Sequence, residues 1–380
     1  MENVSEAKNG TAKKKSEEGK PTRSQWQLML RQFKRHRLAM IGLFVLLIFY
    51  AVAIAPNFFA PYDPTHQFPE DQVRVPPQTI RFIDQKGNFH FRPFVYKRVK
   101  EFNMETYEEE LIVDTSKRYP LRFFVQGNEY SLFGLFKTDR HLFGVGEGCS
   151  LHLFGTNAIG QDLFSRTLVA SRISLSIGLV GVIISSILGV IIGGISGYYG
   201  GVPDLLIQRV IEMLMGIPRI PLWMALAAAI PQTWPLIKVY FFITIILSIV
   251  GWTGLARNVR SKLISLRNED FIRAAQGVGA SDWRIIIVHL VPNFFSYVIV
   301  HLTLAVPGMI IGETALSFLG IGLRAPVVSW GVLLQQAQTF TNVANYPWVM
   351  IPAIFVVIAV LSFNFVGDGM RDAADPFAIT

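Results

Sequence analysis

The chain reads as an all-α polytopic membrane protein with six transmembrane helices. An extracytoplasmic, partly β insertion separates the first from the second. Three observations lead there. Of 380 residues, 51% are hydrophobic and only 16% charged, whereas an average soluble chain carries about 25% charged residues. Apolar runs recur near the ~20 residues that cross a bilayer. Between the first two such runs, the stretch 60–165 is different in kind: charged, aromatic and rich in turn signals.

The net charge of +8 is spread along the chain. Basic loops on the cytoplasmic face of a membrane supply such an excess, so it calls for no nucleic acid. The single cysteine, Cys149, has no internal partner for a disulfide and carries no redox information.

Residues 1–25 are rich in Lys, Glu, Ser and Gly and lack apolar periodicity, which predicts a disordered cytoplasmic tail. Residues 26–37, WQLMLRQFKRHR, mix apolar and basic side chains. They suit a short interfacial helix whose cationic face meets anionic lipid headgroups. The first span is roughly 38–58. Ala53-Ile54-Ala55 imitates a signal cleavage site, but the apolar run is too long for a signal core and the tail before it too extended. An uncleaved anchor is predicted, with Arg31, Lys34, Arg35 and Arg37 holding its N-terminal end inside.

The insertion, 59–170, then lies outside the cytoplasm. Ile80 to Tyr96 alternates about a Lys-Gly turn and predicts a hairpin, and ELIVDT and LRFFVQG suggest further short strands. Its basic residues do not oppose this placement, because long translocated domains escape the positive-inside rule.

In the second span, roughly 173–197, Gly181, Ser185, Gly189, Gly193 and Gly197 recur every four residues. They make one small-residue face on which another helix can approach closely. The third span, roughly 207–230, holds Glu212, Arg219 and two helix-kinking prolines, Pro218 and Pro221. The fourth is roughly 236–256.

A polar island, Asn268 to Asn293, follows. Charge at the membrane centre is costly, so this segment lies outside the bilayer. Phe271, Ala274, Ala275 and Val278 share one helical face, and Gly277 and Gly279 allow a break or a close backbone approach. Arg257, Arg260, Lys262, Arg267, Arg273 and Arg284 lie in or beside it, whereas the short opposite loops, roughly 231–235 and 320–346, offer only Arg324. That asymmetry puts the island in the cytoplasm. The fifth span, roughly 295–318, carries His301, Pro307 and Glu313, and the sixth is roughly 347–367. Six spans put both termini in the cytoplasm.

No phosphate-binding loop, metal-spaced Cys/His cluster or nucleophile elbow is present in the sequence. Catalysis is not expected of this chain. If solute moves uphill, energy enters through another protein, and the island is the surface for that contact. A secondary transporter would instead need ion or proton sites in the bilayer, for which Glu212, His301 and Glu313 are the candidates, but no internal repeat supports it.

Ala274-Ala275, then Gly279, then Pro292 resembles the EAA loop of ABC-importer permease subunits, with Arg273 where that family has Glu. FGTNAIGQDLFSRTLVASRISLSIG (Phe154 to Gly178), GETALSFLGIG (Gly312 to Gly322), NFVGDGMRDAADP (Asn364 to Pro376) and PYDP (Pro61 to Pro64) resemble further segments of the oligopeptide and dipeptide permeases of the C-subunit type. The resemblance spans roughly 35–65 and 150–380. Asn157 and Gln161 depart from an expected Asp and Arg, and Ala170 from Gly.

The resemblance implies the type I ABC importer permease fold in a bacterial or archaeal inner membrane. It implies a coupling loop, 257–293, within a permease core at 171–368, followed by a cytoplasmic tail at 369–380. Asp270, Arg273, Ala274, Ala275, Gly277, Gly279, Ala280 and Ser281 are its expected ATPase-coupling residues. The implied partners are a second, related permease, two ATPase subunits and an external binding protein, a homodimer being the competing arrangement. ATP and Mg belong to the ATPases, and this chain binds no cofactor or metal. Peptides are the implied substrate, with oligosaccharides and nickel complexes as the family's other solutes.

Overall fold

The computed structural model describes residues 25–104, 108–132 and 136–374. Among the described residues, five helices are long and apolar enough to cross a membrane: α2 (Arg37–Ile54), α4 (Leu163–Tyr199), α7 (Leu236–Leu266), α10 (Phe295–Phe318) and α13 (Ile351–Ala374), the last with its leading turn from Pro347. A sixth is formed if two bent helices are taken as one span. Helix α5 (Gly201–Gly216) and α6 (Arg219–Ala228) meet at 89° across Ile217-Pro218. The expected proline kink is therefore a right-angle turn. Pro218 supplies no amide hydrogen and stands ahead of the first turn of α6, so the two hydrogen-bond ladders are separate.

The short α3 is Pro56–Phe59. Two boundaries differ from the sequence reading. Helix α4 begins at Leu163, inside the stretch 59–170 assigned to the insertion. Helix α7 runs on to Leu266, so Arg257, Arg260 and Lys262 stand on a continuous helix and not in a loop. The Asp162 carboxylate sets the first boundary by accepting the Ser165 amide at 2.7 Å.

The glycine face of α4 is where α7 packs. A Cβ on Gly189 would lie 2.9 Å from Leu255 Cβ, one on Gly197 2.8 Å from the Arg260 carbonyl, and Gly193 abuts Ala256. No side chain fits there, so backbones approach closely along several turns. The main core lies between α4, α7, α10 and α13 and contains Leu175, Ile243, Leu247, Ile310, Leu316 and Phe363.

The stretch 320–346 is not the simple loop expected. It folds back into the protein as α11 (Trp330–Leu334), buried at all five residues, before the short α12 (Phe340–Asn345). Too short to span, this apolar turn is stabilised by packing. Trp330 donates from Nε1 to the Thr167 carbonyl at 3.1 Å and meets Phe49 edge-on.

The insertion holds two antiparallel sheets, β1 (Arg81–Ile83), β2 (Phe89–Asn103) and β3 (Glu108–Pro120) in one, β4 (Arg122–Leu132) and β5 (Phe136–Gly144) in the other. The predicted hairpin is β1–β2, with Gly87 at φ +82 in its turn. Asp84 accepts the Lys86 and Asn88 amides there, and His90 beside it holds the carboxyl well below the usual carboxylate range. The insertion is tied to the spans by polar contacts. His141 Nδ1 meets the Ala60 carbonyl at 2.6 Å, and Trp348 donates to the Thr156 carbonyl at 3.0 Å. Asn157 and Gln161 are both buried. The Asn157 oxygen accepts two backbone amides and its amide donates to Gln161 Oε1 at 3.0 Å, so a neutral pair meets the need for acceptors at this turn.

Candidate functional site

The island folds as a small second core beneath the spans. Leu255, Val259 and Leu263 of α7 meet Ile272 and Ala275 of α8 (Asp270–Gly277) and Ile285, Ile286 and Leu290 beyond it. Those last three lie on a π-helical turn, Ile285–Leu290, that follows α9 (Asp282–Arg284). A short 3₁₀ turn at Val291–Phe294, containing Pro292, leads into α10.

Helix α8 therefore has two faces. Ile272 is 0% exposed and Ala275 9%, whereas Phe271 is 43% exposed and Val278 86%. The sequence grouped Phe271, Ala274, Ala275 and Val278 together. The structure keeps three of them outward with Ala274 among them, and turns Ala275 inward beside Ile272. Period alone marks a face; the wider stripe lets Ile272, the larger side chain, claim the core and draw Ala275 with it. Asp270, Arg273, Gly277, Gly279 and Ser281 are exposed, and Ala280 is half-buried against the second core.

Gly279 ends the helix. Its φ is +78, its amide bonds the Gln276 carbonyl at 2.9 Å, and the Ala280 amide reaches back to the Ala275 carbonyl at 3.1 Å. These are the paired bonds of a Schellman motif, which needs a left-handed residue at this position. A Cβ at Gly279 would meet nothing within 4 Å, so conformation, not crowding, selects glycine.

Side chains that sequence reasoning did not single out, Tyr198, Asp204 and Ser196, join this region to the spans. Tyr198, near the end of α4, donates to Asp282 at 2.8 Å and accepts from Gln276 at 3.4 Å. Arg260 on α7 grips both carboxylate oxygens of Asp204 on α5. Ser196 on α4 also donates to Asp204, and Gln208 donates to Ser196 at 3.0 Å. The available signal was Asp204 itself, a lone acid three residues past the Gly200-Gly201 break.

The polar candidates on the apolar helices do not converge. Glu212 is exposed on α5 and pairs with Arg209 at 2.8 Å. His301 is half-buried on α10, near Gly254. Glu313 lies twelve residues further along α10, about 18 Å at helical rise. It is wholly buried among serines. Oε1 accepts Ser317 at 2.8 Å and Ser329 at 2.7 Å, and Oε2 accepts Ser174 at 3.2 Å. Each serine also holds backbone: Ser317 accepts the Leu323 amide, Ser329 that of Val332, and Ser174 that of Trp330. Glu313 thus ties α4, α10 and α11 together. Among the described residues, no group of three His, Cys, Asp or Glu side chains is placed to hold a metal.

Two family models match the chain. One, described as the binding-protein-dependent transport system inner membrane component, covers residues 189–379. The other, the N-terminal TM domain of oligopeptide transport permease C, covers 24–77. The stretch between these two matches contains the five strands found among the described residues and the N-terminal part of α4.

The oligopeptide transport system permease protein OppC of Haemophilus influenzae is 42% identical over 226 residues, 59% of this chain and 70% of that one. OppC of Bacillus subtilis is 38% identical, over 59% of this chain and 72% of its own. The dipeptide transport system permease protein DppC of Bacillus subtilis is 38% identical, over 59% of this chain and 68% of its own. With its spans, its inner-membrane family model and relatives at these identities, the chain belongs to the binding-protein-dependent transport system inner membrane components, as a multi-pass ABC-importer permease.

Proposed function

We propose that this chain is one permease subunit of an ATP-driven peptide importer and that α8 is its contact with an ATPase subunit. The observation that carries the coupling reading is the outward set of Phe271, Ala274 and Val278 on a helix anchored from below by Ile272 and Ala275. An exposed apolar surface on a short, capped helix is suited to a groove in a partner. The names of the relatives, oligopeptide and dipeptide permeases, support peptides as the solute.

The anchoring gives the coupling a mechanical route. Displacing α8 displaces the second core, and with it α7 and α10, which share that core. Tyr198 passes the motion to α4, and the Asp204–Arg260 pair passes it from α7 to the broken span α5–α6. The wide apolar surface of α5, including Val202, Leu205, Leu206 and Met213, suits packing against a second, related permease. Two ATPases holding ATP and Mg and an external binding protein complete the assembly. The basic residues around α8 support a cytoplasmic position for it and, with an even number of spans, for both ends of the chain.

Uptake by cells lacking this chain tests the substrate: peptide import is lost and sugar import is kept. The opposite pattern overturns the peptide assignment while leaving the coupling intact. Native mass spectrometry of the gently solubilised complex tests the partnership, and a complex with this chain as its sole permease refutes the hetero-pair.

A further inference from the structure

Helix α1 (Gln25–Arg35) carries a second surface that transport by α8 does not use. Its sequence, QWQLMLRQFKR, holds three cations and no acid. Met29 and Phe33 lie on one side, and Phe33 packs against the main core. Arg31, Lys34 and Arg35 are exposed on the other side, and Arg37, first residue of α2, is exposed beside them. Leu30, 56% exposed, borders the cationic face.

Only His36 separates α1 from the first span. Its Nδ1 accepts the Ala39 amide at 3.1 Å and caps α2. The corner is fixed against the last turns of α13: His36 Nε2 lies 3.6 Å from Asp372, and a Cβ on Gly369 would touch Phe33 at 3.4 Å. So α1 is held at the level where a span leaves the bilayer, with its cations directed outward. Among the described residues, none of the four cations is paired with a carboxylate.

We propose that α1 and the start of α2 form a docking surface for anionic phospholipid headgroups of the leaflet they adjoin, with Arg31, Lys34, Arg35 and Arg37 as the phosphate-binding groups. The charge complementarity is direct. Four cations at the end of a span sit within reach of headgroup phosphates, and the flanking Leu30 enters the acyl boundary as a basic amphipathic helix does. Each such cation favours an anionic surface by roughly fivefold. Because α1 is packed on α13, lipid engagement also fixes the end of the last span.

The test uses the full chain in nanodiscs of phosphatidylcholine alone or of equal phosphatidylcholine and phosphatidylglycerol. Hydrogen exchange of the α1 amides is the readout. Exchange should be at least about tenfold slower with phosphatidylglycerol, and 0.5 M salt, roughly the range where screening lengths fall to a few ångströms, should remove the difference. The R31Q/K34Q/R35Q/R37Q variant should exchange at one rate in both lipids, and R31K/R35K/R37K should behave as wild type. Equal rates for wild type in the two lipids, or a glutamine variant that keeps the difference, overturn the proposal. Inorganic phosphate that protects α1 in phosphatidylcholine also overturns it, since the surface would then be a free-anion site. If the glutamine variant does not fold, the wild-type lipid and salt comparisons decide.

Discussion

Arg260 and Asp204 form a bidentate pair, Nε to Oδ1 at 2.5 Å and Nη2 to Oδ2 at 2.6 Å, between the C-terminal part of α7 and the first turn of α5. The pair is partly sheltered, with side-chain exposures of 30% and 16%. With the Ser196–Asp204 and Gln208–Ser196 bonds, it fastens α5 to α4 and α7.

Bidentate, charge-assisted bonds are stronger than exposed ion pairs, and removing one partner strands the other. Arg260→Ala or Asp204→Ala should each cost about 2 kcal/mol. Measured as a double-mutant cycle on unfolding in detergent, the coupling should reach about 1 kcal/mol or more. Additive single effects would mean that the two side chains do not act together.

Gly279 and Gly277 should respond in opposite ways. Gly279→Ala places a Cβ at φ +78 and should cost about 1 kcal/mol of local α8 stability, while Gly279→Asn should cost less. Gly277 is the last residue of α8, and a Cβ there meets nothing within 4 Å, so Gly277→Ala should leave α8 as stable or up to about 1 kcal/mol more stable. Hydrogen exchange of the 270–280 amides reports both effects. Faster exchange in Gly277→Ala would contradict the assigned helix end.

The two glycines also show what the sequence carried and what it did not. A polar segment between apolar runs located the island, since charge must leave the bilayer. The four-residue recurrence from Gly181 to Gly197 marked a helix-packing face, and its partner proved to be α7. The identity of that partner was not legible, because periodicity describes one helix and not its neighbour. Nor was the fold-back of α11: WGVLL is apolar like a span and too short to be one, and it is the Trp330–Thr167 bond, the Ser329 cap and the burial of all five residues that show it turning inward. Helix α10 is apolar nearly all round and has no polar stripe to orient it, so the surroundings of His301 and Glu313 had to come from the structure.

Glu313 separates hydrogen bonding from charge. Glu313→Gln keeps the oxygen that accepts Ser317 and Ser329, and its amide can donate to Ser174, so the cost should stay within about 1 kcal/mol. Glu313→Leu leaves three buried hydroxyls without their acceptor and should cost about 3 kcal/mol or more. The same variant should expose 320–346, read as tryptic cleavage at Arg324. A Glu313→Gln protein that assembles normally yet changes substrate preference would instead make this residue part of the pathway.

The outer and inner faces of α8 offer the sharpest separation of docking from packing. Phe271→Ser and Val278→Ser alter exposed side chains and should shift unfolding by no more than about 0.5 kcal/mol. Ile272→Ser, on the opposite face, removes buried apolar surface and adds a hydroxyl where no exposure remains, for a loss of about 3 kcal/mol. If α8 docks on an ATPase, Phe271→Ser with Val278→Ser should lower transport at least about tenfold, since about 1.4 kcal/mol of lost contact suffices, with the fold retained. ATP hydrolysis by the assembled complex should lose its response to the loaded binding protein. Ile272→Ser should lower both stability and transport, and a second-site change that restores stability should restore transport with it. Full transport by a stably folded Phe271→Ser, Val278→Ser protein would remove α8 from the coupling path.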